Sequence, residues 1–146
     1  MEFIDLKAQQ DRIRDKIDAR IKKVLDHGQY IMGPEVFELE EKLSEFCGAK
    51  HVITCANGTE ALMMPLMAKG FSKNDAVFVP AFTFAATAEA VVLAGATPVF
   101  VDVKRDTFNM CSQSLKAGIT TAKDEGLEPV AVIPVGLFGQ PADFDA

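Results

Sequence analysis

Cysteine is sparse and histidine sparser: Cys47, Cys55 and Cys111 are odd in number and far apart, and His27 and His51 are the only imidazoles in 146 residues. This leaves neither a disulfide framework nor a close ligand pair for zinc, and the thiols read as buried ones in a reducing compartment. An excess of positive charge is missing too. With 15 Lys+Arg against 21 Asp+Glu the formal net charge is −6, a field that does not gather nucleic acid or an anionic membrane surface. The opening Met1-Glu2-Phe3-Ile4-Asp5 lacks the basic and apolar regions of a secretory signal, which points to the cytoplasm. The nearest approach to a membrane span, Ala76 to Val101, is cut by Pro80, Gly95 and Pro98 into pieces too short to cross a bilayer. Neither Gly-x-Gly-x-x-Gly nor Gly-Lys-Ser/Thr occurs, and no Ser-His-Asp or Cys-His arrangement has a recognisable local signature.

What is present is the composition of a globular protein, 49% hydrophobic and 25% charged. A chain of this size buries roughly 70% of the surface its unfolded form exposes, enough for a core without staples. Ile13, Ile17, Ile21 and Leu25 recur at every fourth position, which predicts an amphipathic helix over about 6–26, ended by Gly28. Pro34 suits the first turn of a second helix that buries Phe37, Leu39, Leu43 and Phe46 before Gly48. These two helices precede any strand and read as an arm over 1–48.

Over 49–146 the texture changes to short apolar runs alternating with helical stretches. Strands are expected at His51–Cys55, Ala76–Val79, Pro98–Val101 and Val130–Val135, and helices at Thr59–Lys69, Thr83–Ala94 and Ser112–Ala122, with Gly70 and Gly95 as stops. Strand, crossover helix and strand in repetition pack only as a mostly parallel sheet flanked by helices, an α/β fold. The final Ala142-Asp143-Phe144-Asp145-Ala146 reads as the first turn of another crossover helix, so the segment is expected to be the N-terminal part of a longer polypeptide.

In parallel sheets, ligands bind at the carboxyl ends of the strands. Four loops belong to that edge: Ala56-Asn57-Gly58-Thr59, Pro80 to Phe84, Asp102 to Thr107, and Gly136 to Gln140. In the first, a glycine lets backbone approach a ligand, the opening helix offers unpaired N–H groups, and Thr59 adds a hydroxyl; together these form an anion cradle suited to phosphate. The same residues are also an ordinary turn with Thr59 as N-cap, and they match an N-glycosylation sequon. Phe82 and Phe84, two apart in extended chain, point to opposite sides, so that one packs inward and the other is free to cover a planar ring, unless both pack in the core. Asp102 and Asp106 read as strand-end and turn residues. No lysine has surroundings that would lower its pKa, so none is nominated as a Schiff-base nucleophile.

Several ordered blocks carry a family pattern. Phe3-Ile4-Asp5-Leu6, Gly28-Gln29-Tyr30-Ile31-Met32-Gly33-Pro34-Glu35, Ala56-Asn57-Gly58-Thr59-Glu60-Ala61-Leu62, Pro80-Ala81-Phe82-Thr83-Phe84-Ala85-Ala86-Thr87-Ala88, Gly95-Ala96-Thr97-Pro98-Val99-Phe100-Val101-Asp102 and Leu137-Phe138-Gly139-Gln140-Pro141-Ala142-Asp143 resemble the DegT/DnrJ-type sugar aminotransferases from end to end of the chain. The resemblance implies the N-terminal half of the large domain of an aspartate-aminotransferase-like (fold type I) enzyme, usually a homodimer, that uses pyridoxal 5'-phosphate to aminate a nucleotide-linked keto sugar at the expense of an amino-acid donor. By resemblance Gly58, Thr59 and Glu60 hold the cofactor phosphate and Phe84 stacks on the pyridine ring. The opening block looks closest to the branch that makes the 3-amino group of a UDP-linked 2-acetamido-3-oxo-glucuronic acid for surface polysaccharide, in which Gly28 and Tyr30 face the sugar nucleotide. Tyr30 also suits packing of the arm. The family's lysine, and its aspartate for the pyridine nitrogen, lie beyond residue 146. A noncatalytic sugar- or phosphate-binding regulator on the same fold is the competing reading.

Overall fold

A computed structural model describes residues 4–145; Met1 to Phe3 of the opening block, and Ala146, lie outside the described residues. The chain divides into two compact units, Met1–Thr54 and Cys55–Ala146.

In the first unit the fourfold apolar recurrence forms helix α1 (Leu6–His27), started by the Asp5 carboxylate accepting the Ala8 N–H at 2.8 Å and stopped by Gly28 in the left-handed region at φ +68°. Pro34 opens α2 (Pro34–Cys47), and Gly48 closes it. Charged contacts tie the two helices. Arg20 grips Glu38 through bonds of 2.5 and 2.7 Å, Lys42 reaches the same carboxylate, and Lys23 and His27 both meet Glu35. Because α2 turns this acidic edge toward α1, its apolar side chains are not covered. Phe37, Leu39, Leu43 and Phe46, expected to be buried, are exposed, Phe46 to 89%.

The expected strand His51–Cys55 does not form. A strand exists only where its amides meet a neighbouring ladder, and here the Thr54 N–H and hydroxyl both donate to Glu40 Oε1 at 2.9 Å.

The second unit runs α3 (Gly58–Lys69), β1 (Asp75–Pro80), α4 (Ala86–Leu93), β2 (Thr97–Val101), α5 (Ser112–Asp124) and β3 (Glu128–Val132). The three strands form a parallel sheet in the order β2-β1-β3, with Ala76 opposite Thr97 and Pro80 opposite Val101. The central strand is buried on both faces, which is why its sequence is continuously apolar. Val77 and Val79 pack with Leu66 of α3 and Val91 of α4, whereas Ala76 and Phe78 pack with Val101 and with Ala122 of α5.

Two boundaries differ from expectation by three residues, the end of β3 and the start of α4. Strand β3 stops at Val132, although Ile133 still donates to the Phe78 carbonyl at 2.9 Å. Helix α4 begins at Ala86 rather than Thr83, whose hydroxyl is hydrogen-bonded to that of Thr87 at 3.0 Å. Residues 142–145 form no helical turn, in keeping with the unfavourable nucleation of a single turn. The cysteines lie outside both core clusters, so the expectation of buried thiols fails: Cys47 and Cys55 are exposed and Cys111 is half-buried. No helix among the described residues is long and apolar enough to cross a membrane.

Candidate functional site

The loops that follow the three strands are fastened to one another. After β1, the Ala81 N–H donates to the Val101 carbonyl at 2.8 Å. After β2, residues 102–111 fold back as a small hairpin in which Val103 pairs with Met110 and Lys104 N–H bonds to the Asn109 carbonyl. Asp102 works as a turn residue there, its carboxylate accepting the Val103 N–H at 2.8 Å. At the hairpin tip Phe108 adopts φ +58°, a conformation rarely tolerated by a bulky residue. In that position its ring lies 5.4 Å from Phe82, in the loop after β1, and 5.4 Å edge-on from Phe138, in the loop after β3. The neighbouring Asn109 is buried, and its amide donates to the Gln140 and Pro141 carbonyls at 3.3 and 2.9 Å.

This ladder settles which of the two alternating phenylalanines packs. Phe82 is half-exposed against Phe108; Phe84 is 75% exposed. Phe84 stands two residues before α4, and α4 packs on α3.

Helix α3 opens on the Asn-Gly-Thr turn, but its cap is Asn57, not Thr59. Asn57 Oδ1 accepts the Glu60 N–H at 3.0 Å, and Glu60 Oε2 in return accepts the Ala56 N–H at 3.2 Å. That leaves Gly58 and Thr59 in the first turn. Among the described residues neither of their N–H groups, nor the Thr59 hydroxyl, has a partner. A Cβ built on Gly58 meets nothing within 4 Å, so a ligand can reach the backbone there. Two free amides, a hydroxyl and the positive end of a helix dipole fit a phosphate group. Glu60 differs from the other two, because its amide is already committed to the cap.

In the first unit, Gly28 and Tyr30 belong to the short connection between α1 and α2, which lines a concavity of about 590 Å³ from Gly28 to Met32. The Tyr30 side chain is 67% exposed. Met32 sits at φ +49°, and Gly33 is buried so close to Gln29 that a Cβ would come within 2.3 Å of the Gln29 carbonyl oxygen.

Sequence reasoning missed the Asn57–Glu60 cap, although an Asn three residues before a Glu is a readable start signal. It also missed Phe108 and Asn109, for which no local signal exists, since both matter through partners about 25 to 30 residues away in the chain.

Comparison with known proteins bears on these residues. The sequence profile of the DegT/DnrJ/EryC1/StrS aminotransferase family matches residues 11–146. The UDP-2-acetamido-2-deoxy-3-oxo-D-glucuronate aminotransferase of Pseudomonas aeruginosa is 56% identical over 146 residues, which is 100% of this chain and 39% of that protein. The crystal structure of a DegT DnrJ EryC1 StrS aminotransferase from Brucella abortus matches with a TM-score of 0.95 at 56% identity, over 99% of this chain and 39% of that one. NtdA from Bacillus subtilis with bound cofactor PMP matches with a TM-score of 0.76 at 30% identity, over 91% of this chain and 29% of that one. The chain spans 39% of the length of the Pseudomonas relative.

Proposed function

The chain belongs to the DegT/DnrJ/EryC1/StrS aminotransferase family, and from that premise we propose that the whole protein is a pyridoxal 5'-phosphate-dependent transaminase of a UDP-linked keto sugar. The substrate is UDP-2-acetamido-2-deoxy-3-oxo-glucuronate and the amino donor glutamate, in synthesis of a surface polysaccharide such as the O-antigen of lipopolysaccharide. Identity to the Pseudomonas enzyme across the whole of this chain supports that choice. The protein acts in the cytoplasm as a homodimer, with 1–48 as its helical arm and 49–146 as the first part of the cofactor-binding domain.

The observation that carries the reading is the opening of α3, where the Gly58 and Thr59 amides and the Thr59 hydroxyl are free for an anion. These groups hold the cofactor phosphate, and Glu60 joins them only by exchanging its Asn57 cap for the ligand. Phe84, exposed beside α4, covers one face of the pyridine ring. The ladder through Phe82, Phe108 and Phe138 keeps its loop from drifting, so that the flat heterocycle is shielded from water on that side. Gly28 and Tyr30 face the sugar nucleotide.

Held by Gly58 and Thr59 at its phosphate and covered by Phe84, the cofactor would supply the transamination chemistry, exchanging the amino group of glutamate for the C3 carbonyl oxygen of the sugar and so yielding 2-oxoglutarate. The contribution of this chain is to bind and orient, and the groups that move protons are supplied by the rest of the protein.

The test is the visible spectrum of the full-length protein. We expect a cofactor absorbance band with saturating pyridoxal 5'-phosphate that shifts when glutamate is added. A protein that stays colourless overturns the proposal, and a band that glutamate leaves unmoved overturns the donor assignment.

A further inference from the structure

The connection Gly28–Gly33 is exposed in its side chains yet fixed in its backbone. Tyr30, Ile31 and Met32 point into solvent, so burial does not hold them, and Met32 keeps a left-handed conformation that persists only where the surroundings impose it. Two contacts converge on Gln29. Its carbonyl lies against the Gly33 backbone, where no side chain would fit. Its N–H donates to Nδ1 of His27 at 3.0 Å.

The second contact fixes the state of the imidazole. A nitrogen that accepts an amide N–H carries no proton, so the ring proton sits on Nε2, which faces Glu35 Oε2 at 3.0 Å and donates to it. The other oxygen of Glu35 is buried with Lys23 Nζ 3.0 Å away, and this ammonium, against the opposing effect of burial, holds the Glu35 carboxyl below its ordinary range. A carboxylate on α2, braced by two α1 residues one turn apart, therefore sets the ring plane of His27, and the ring sets Gln29.

We propose that His27 is a positioning residue for the sugar-nucleotide loop: clasped between Glu35 and the Gln29 amide, it fixes the backbone that presents Gly28 and Tyr30. The proposal rests on the reading, given above, that these two residues contact the substrate. A ring held by a carboxylate on one nitrogen while the other binds its target is the arrangement that orients histidines in metal and catalytic sites. Here the target is a backbone amide.

The test uses the full-length enzyme with His27→Leu, His27→Asn and His27→Gln. Asn places an amide oxygen near the position of Nδ1 and keeps the acceptor for Gln29; Gln places its amide near Nε2 and keeps only the link to Glu35. We expect His27→Leu and His27→Gln to raise KM for the UDP-sugar about tenfold, the scale of one lost hydrogen bond. The glutamate half-reaction and kcat at saturating sugar stay as in wild type, His27→Asn recovers most of the affinity, and exchange of the Gln29 amide hydrogen quickens in Leu and Gln only. A KM unchanged in His27→Leu, or equal losses in all three variants, overturns the proposal. If the wild-type enzyme fails to bind the UDP-sugar, the functional reading falls and the positioning role with it; Gln29 exchange, which needs no substrate, then tells that failure from a failure of the clasp.

Discussion

The ring of Phe82 rests 5.4 Å from that of Phe108, tilted by 42°, and so the loop that follows the central strand leans on the hairpin that follows its neighbour. Phe108 reaches this place only by taking φ +58°. A backbone held in a costly region by a packing contact is a sign that the contact matters more than local comfort.

Replacing Phe108 by Ala removes both aromatic contacts and leaves a β-carbon still at positive φ. Since the ring is only partly buried, we expect a loss of about 1–3 kcal/mol, drawn from the aromatic pairings and lost area. Urea denaturation of the full-length protein followed by circular dichroism measures it. Phe108→Ala also weakens cofactor binding, because Phe84 shares a loop with Phe82.

Asn109 is buried beside that hairpin with its amide shared between two carbonyls. Asn109→Ala removes both of these hydrogen bonds and is expected to cost about 1–2 kcal/mol. Asn109→Asp is expected to do worse, because a carboxylate there faces carbonyl oxygens with no donor. The same denaturation experiment ranks the two variants.

The arm responds to acid through Glu38. Hydrogen bonds from Arg20 first, then from Lys42, pull its carboxyl from 4.5 down to about 2, against a smaller opposing effect of burial. A folded-state pKa below the unfolded one gives stability that is complete above about pH 4.5 and fades as pH falls toward about 2. Glu38→Gln should therefore lower the denaturation midpoint at pH 7 and converge with wild type near pH 2. The difference is small, because the pair is solvent-exposed and screened by salt. Parallel curves with no convergence would show that Glu38 stabilises by packing rather than charge.

Much of this architecture can be read from the chain because it rests on local rules. Gly28 and Gly48 stop helices where a left-handed residue is needed, and Ala76–Val79 is apolar throughout because β1 is covered on both faces. The start of α3 at Gly58 is legible for the same reason, since an Asn-Gly-Thr-Glu helix opening is defined within four residues. What failed was decided by partners. His51–Cys55 has the composition of a strand, but its Thr54 amide goes to Glu40; Phe37 and Phe46 have helical spacing, but the acidic edge of α2 faces α1 instead. Phe108 and Asn109 had no signature, because their value lies in rings and carbonyls distant in sequence.

The central claim is that amides and a hydroxyl at the start of α3 hold the cofactor phosphate, and titrating pyridoxal 5'-phosphate into the full-length apo-protein tests it most directly. Thr59→Val, which keeps the shape and removes the hydroxyl, is expected to weaken binding about tenfold, while Thr59→Ser stays near wild type. Equal affinity for Thr59→Val and wild type, with both proteins folded, would contradict the account.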